Sequence, residues 1–170
     1  MVEFDSKKEL DELSRRCGEI IFEATSIESS LEFLLENYFV HISEPHYKRQ
    51  LFYDNVLTEI TFAKKIALFK SLFDFELIDE KKLNNILESL SFVQRLRNRA
   101  AHDMVYMDHK ERRVWLQKRK SITYVKDDLE ISDKDIQDLK EKTLSLRLEF
   151  SRLNQELSDS NRKLRENCYS

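Results

Sequence analysis

From Ser6 to about Val40, apolar side chains return every three or four residues: Leu10, Leu13, Cys17, Ile20, Ala24, Ile27, Leu31, Leu34 and Tyr38. That spacing lays one stripe along a single long helix. Gly18 sits inside it at a cost of roughly 1 kcal/mol relative to Ala. The stretch from His41 to Asp54, interrupted by Pro45, reads as a connection with room for a short helix. A second helix is predicted from about Leu57 to Phe73, carrying Ile60, Phe62, Ala63, Ile66, Ala67, Phe69 and Leu72. The third opens after Asp79, a favourable N-cap, and reaches past His102. On a wheel with Leu83 at zero, its apolar stripe holds Ile86, Leu87, Leu90, Val93, Ala101 and Met104. Arg97 falls inside that stripe, and Asn98 and His102 share its edge.

Beyond this point the period changes. Arg113–Gln117 and Ser121–Val125 are β-branched and aromatic, with Lys118-Arg119-Lys120 between them, and are predicted to pair as a small hairpin. Ser132 and Asp135 have the spacing of a capping box and open the last helix. Its seam is a heptad: Ile136, Leu139, Thr143, Leu146, Phe150, Leu153, Leu157, Ser160 and Leu164. Within one molecule this seam makes the last helix an antiparallel partner for the first; between molecules it makes a coiled coil. The polar residues from 158 to 170 form a frayed tail. The expected fold is therefore all-α, an antiparallel bundle of about four to five helices in a single domain over residues 1–170. A small β-hairpin stands between the third and last helices.

Composition narrows the chemistry. One Gly and one Pro among 170 residues leave no phosphate-cradling glycine loop and few tight turns. Charged residues make up 36 % of the chain, yet the net charge is only -3, so any nucleic-acid contact must come from a local patch. Cys17 and Cys168 lie far apart, His41 and His46 flank Pro45 in a connection, His109 is isolated, and none has metal-ligand spacing. No metal or other cofactor is expected. The acidic start and the absence of a long apolar run predict no signal peptide and no membrane association, and a cytoplasmic protein.

The remaining chemistry concentrates in Arg97-Asn98-Arg99-Ala100-Ala101-His102. An arginine aimed at an apolar seam is costly unless it is paired or the seam opens into a polar cleft. Histidine moves protons near neutral pH, and the arginine fork suits charge building on a phosphate. Glu28 and Asp103 are the candidate ion-pair partners for Arg97. Around Trp115 lie Lys110, Arg112, Arg113, Lys118, Arg119 and Lys120, where a base can stack on the indole while the cations take phosphates; a solvated basic hairpin explains them as well. Arg99 and Tyr106 join Arg113, Trp115, Lys118 and Arg119 as candidate substrate contacts.

The hexapeptide resembles the Arg-x4-6-His signature of the HEPN superfamily in its Arg-Asn-x-x-Ala-His form, matched by Arg97, Asn98, Ala101 and His102. The Glu in Ile27-Glu28-Ser29-Ser30-Leu31 and the run Thr61-Phe62-Ala63-Lys64-Lys65-Ile66 agree with it. The resemblance covers about Leu10 to Leu157. It implies a metal-independent endoribonuclease whose composite site joins the motifs of two subunits in a homodimer. Arg97 and His102 are then catalytic, with Asn98 supporting. RNA is the implied substrate, an antitoxin or regulatory protein a further partner, and phage defence or toxicity the setting. Met104 stands where some relatives carry a modifiable Tyr, so that route of control is not expected.

Two other readings keep the same residues. One is an inactive HEPN domain that binds a nucleotide or a regulatory partner. The other is a plain helical scaffold with Arg97 in an interfacial ion pair. Exposure separates them: catalysis and ligand binding need Arg97 and His102 accessible, whereas the scaffold buries and pairs them.

Overall fold

The computed structural model describes residues 5–40, 44–73, 78–108, 113–117 and 131–168. Helix α1 runs from Ser6 to Phe39, and the Asp5 carboxylate accepts from the backbone N–H groups of Lys7 and Lys8 at 3.0 and 3.2 Å. Helix α2, His46–Phe52, continues into a single π-helical turn over Tyr53–Leu57. Helix α3 covers Phe62–Phe73, so it starts later than the apolar pattern suggests because the π turn takes Leu57. Helix α4, Glu80–His102, is capped by Asp79, whose side chain accepts from Lys82 N–H at 3.0 Å. Helix α5 is Asp133–Cys168, continuing past Ser158, where composition predicts fraying. Ser132 and Asp135 form the reciprocal capping box: Ser132 N–H donates to Asp135 at 2.9 Å, and Asp135 N–H to the Ser132 hydroxyl at 3.2 Å.

The five helices pack together. Ile20, Ala24, Ile27, Leu31, Leu34 and Leu35 of α1 are buried against Leu90 and Val93 of α4 and the α5 seam. Ile136, Leu139, Thr143, Leu146, Phe150 and Leu153 of that seam are buried in the bundle, so the described part of the heptad is an intramolecular face. Phe69 of α3 meets Phe150 edge-on, with ring centroids 5.8 Å apart. No helix among the described residues is long and apolar enough to cross a membrane.

The direction of α5 corrects the sequence expectation. Arg16 donates to the Ile131 carbonyl at 2.6 Å, Lys140 meets Glu19 at 3.1 Å, and Arg147 meets Glu23 at 2.7 Å. Higher up, Asn37 donates to Asn154 at 2.9 Å. Both numbers climb together, so α1 and α5 are parallel. α4 is the antiparallel member: Lys82 pairs with Glu149 at 3.0 Å, and the Lys142 ammonium lies 5.5 Å from the Phe92 ring centre. A heptad reads the same in both directions, which is why spacing alone did not reveal this.

The chain reaches the start of α5 through two short strands. β1, Met104–Asp108, pairs antiparallel with β2, Arg113–Gln117, in a register that sets Tyr106 opposite Trp115 and Asp108 opposite Arg113. The strand at 113–117 is where β propensity places it, but its partner lies upstream. The expected partner, 121–125, falls outside the described residues. Leu116 is buried in the core, fixing β2 near the start of α1 and returning the chain to the end from which α5 departs.

Candidate functional site

α4 ends at His102, with Asp103 as its C-cap and Met104 already in β1, so the helix does not extend past the histidine. Its buried face runs through Leu83, Ile86, Leu90, Val93 and Leu96. The step from Val93 to Leu96 is three residues, which rotates the buried face past Arg97. Ala100 continues that face against the core, while Ala101, assigned to the stripe from the wheel, is exposed. Arg97 is thereby half-buried at the edge rather than inside the seam.

From that edge its guanidinium turns outward and donates to the Asn98 amide oxygen at 3.3 Å. Long cationic side chains commonly bury the stem and keep the head in water. Asn98 and His102 are both exposed, one helical turn apart on the outward face. No carboxylate among the described residues pairs with Arg97. The structure therefore brings Arg97, Asn98 and His102 to one accessible surface at the C-terminal end of α4. Lys, Arg and His side chains are favoured there by the helix dipole.

Arg99, by contrast, faces inward. It pairs with Asp103 at 3.4 Å, both side chains being largely buried. Its charge also reaches Cys17 of α1, where burial pushes the thiol pKa up and Arg99 opposes the rise. Arg99 is thus paired within the chain, and Asp103 serves Arg99 rather than Arg97.

Glu28 is committed elsewhere. It accepts from the buried Lys65 ammonium at 2.6 Å, and Glu32 holds the same ammonium through its own carboxylate. The Tyr53 hydroxyl, brought in by the π turn, donates to Glu32 at 3.3 Å. Burial pulls the Lys65 pKa down, but hydrogen bonds and charge from Glu28 and Glu32 outweigh it and hold the pKa above the ordinary lysine value. Above this cluster Arg49 bonds Glu36 at 2.7 Å and Asn37 at 2.9 Å. The sequence reading missed Lys65, although its register with Phe62 and Phe69 places it on the inner face of α3. Ala63 and Ala67, read as apolar positions of that helix, are exposed.

Because β1 begins directly after the helix cap, the strand pair stands at the same end of the bundle as His102. Tyr106, Arg113 and Trp115 lie on it; Lys118 and Arg119 fall outside the described residues. Compared with known protein families, curated proteins and solved structures, the chain matches none.

Proposed function

We propose that the protein is a metal-independent endoribonuclease of the HEPN type, in which the Arg97–His102 segments of two copies share one cleft. The observation that supports it is the outward placement of Asn98 and His102 on one exposed surface, with the Arg97 guanidinium drawn to it by the Asn98 amide oxygen. A helical scaffold using Arg97 in a buried ion pair would have left it paired with Glu28 or Asp103. Those two carboxylates are taken by Lys65 and Arg99.

In this reading one His102 accepts the proton of a ribose 2′-hydroxyl as its oxygen attacks the adjacent phosphorus. The P–O5′ bond breaks, and His102 of the second copy protonates the departing 5′ oxygen. Arg97 holds the phosphate oxygens as their charge rises, and Asn98 keeps the guanidinium in place. The products are a 2′,3′-cyclic phosphate and a 5′-hydroxyl, with no redox change and no metal required. The strand pair beside the site offers a surface along which single-stranded RNA can lie.

The test is cleavage of end-labelled single-stranded and transfer RNA in excess EDTA, comparing wild type with His102→Ala and Arg97→Ala. The expected result is cleavage in wild type, with cyclic-phosphate ends, and its loss in both folded variants. Equal cleavage by wild type and both variants would place the activity elsewhere. Nucleotide or RNA binding without cleavage, lost in the same variants, would instead make the segment a binding site.

A further inference from the structure

Two parallel helices have two grooves between them, and α4 fills one side of the α1/α5 pair. Among the described residues no helix or strand covers the other side. A cavity of about 660 Å³ lies there, lined by Ser26, Ser29, Ser30 and Phe33 of α1 and Arg147, Ser151 and Asn154 of α5.

The outward positions flanking it are unusual for a chain in which 36 % of residues are charged. On α1 the exposed residues between 18 and 33 are Gly18, Phe22, Thr25, Ser29 and Phe33. On α5 those between 144 and 155 are Leu144, Ser145, Leu148, Ser151 and Gln155. None of these carries a charge; the cations between them are the partly exposed Arg147 and Arg152, held by Glu23 and by Glu149 and Glu156. Phe22 and Phe33 are 71 % and 51 % exposed, and Leu144 and Leu148 are 57 % and 65 % exposed. Four large apolar side chains left this exposed around one groove mark an interface. Gly18 points the same way: a Cβ added there meets nothing within 4 Å, so no packing inside the chain accounts for a helix-interior glycine.

The occupant follows from symmetry. Phe22-Ser26-Ser29-Phe33 reads the same about its midpoint, between residues 27 and 28. Ser145-Leu148-Ser151 reads the same about Leu148. These two midpoints stand at the same height in the bundle, because Arg147 donates to the Ser26 hydroxyl at 3.1 Å and Ser29 and Ser151 line the same cavity. One two-fold axis across the face therefore serves both helices. It sets Phe22 at the level of Phe33 of the second copy, Ser26 at the level of the second copy's Ser29, and Leu148 against itself. At these positions large meets large and small meets small, as an isologous contact requires, while Leu144 comes to the level of the second copy's Arg152, whose aliphatic stem can cover it.

The area is that of a small contact. Gly18 to Phe33 rises about 22 Å, and two adjacent helices span roughly 20 Å. Two copies then bury about 900 Å² in total, in the range of a reversible interface.

We infer that the outer α1/α5 face binds a second copy of this chain, antiparallel, about a two-fold axis through Leu148. This contact faces away from α4, so it is separate from any meeting of two His102 segments.

The experiment is sedimentation equilibrium of the full chain and of Leu148→Glu and Leu148→Lys, alone and mixed. Leu148 is solvent-exposed, so either charge leaves the fold intact, which circular dichroism checks. Each variant alone is expected to halve the assembled mass, because the axis sets like charges against each other. Mixing the two restores it through the opposite-charge pair. A monomeric wild type, or variants that keep the wild-type mass, overturns the proposal; the second result moves self-association to another face, including the α4 end. Halved masses that mixing does not restore overturn the axis through Leu148.

Discussion

At Lys65 one ammonium is shared by Glu28 and Glu32, and the Tyr53 hydroxyl takes up a further acceptor of Glu32. At the end of α4, Arg97 reaches no farther than the amide of its neighbour, and His102 stands in solvent. Both places hold strong hydrogen-bonding groups on helices of one bundle. In the first, every charge is answered from within the chain, and the cluster ties α1 to α3 and to the π turn. In the second, the capacity to bind is left open. Buried charge that finds its partners serves the fold, whereas charge kept accessible and unmatched is available to a ligand.

The comparison breaks most visibly at Lys65. Lys65→Met strands the buried Glu32 carboxylate and is expected to lower unfolding free energy by about 3–5 kcal/mol in denaturant titration. Adding Glu32→Leu and Glu28→Gln should recover most of the loss; a cost below about 1 kcal/mol for the single change would mean the cluster is solvated. Next, His102→Ala should cut RNA cleavage by roughly 10²- to 10⁴-fold, while denaturation shifts by no more than about 0.5 kcal/mol. A large stability loss there would give the histidine a structural role. Asp103→Asn should cost about 1–2 kcal/mol by weakening the Arg99 contact, with cleavage nearly unchanged.

The smallest effect is in pH. A lysine whose folded pKa is raised contributes stability that is full below its unfolded value and lost as pH climbs through the folded one, so Lys65 matters on the alkaline side. Carboxylates behave in the opposite sense. Glu12 is lowered to about 2, first by its hydrogen bond from Arg15 and then by that from Arg16. Burial raises Glu149, but Lys82 and Arg152 outweigh it and leave its pKa below the ordinary value. Their contributions hold above the usual carboxylate range and fade as pH falls through it. Thermal melts across pH should show a neutral plateau falling at both ends, and Lys65→Met should remove part of the alkaline slope.

Local signals read well from the sequence. The α1 stripe, the Asp79 cap and the Ser132–Asp135 box each depend on residues within a few positions of one another, and each stands where spacing placed it, except that Leu10 and Tyr38 at the ends of the stripe are exposed. Properties decided by distant packing did not read. Met104 fits a helical wheel as well as it fits a strand, so the pairing of β1 with β2 was hidden. One three-residue step at Leu96 exchanged the expected surroundings of Arg97 and Arg99, since consecutive residues lie about 100° apart. Lys65 escaped notice because lysine normally lies on the solvated side of a pattern. The motif segment itself was legible, and its accessibility was not.

The parallel pairing of α1 with α5 also bears on how the chain acquires its shape. Contacts that close this seam join residues 115 to 124 positions apart, as in Arg16–Ile131 and Glu23–Arg147. Helical proteins usually fold fast because most of their contacts are local. Here the inner face of α1 waits for the 115 to 124 residues that separate it from its partners on α5. A nascent chain ending before residue 131 can cover that face with α3 and α4 but leaves its α5 side open. Closure of the bundle is thus tied to the synthesis of α5.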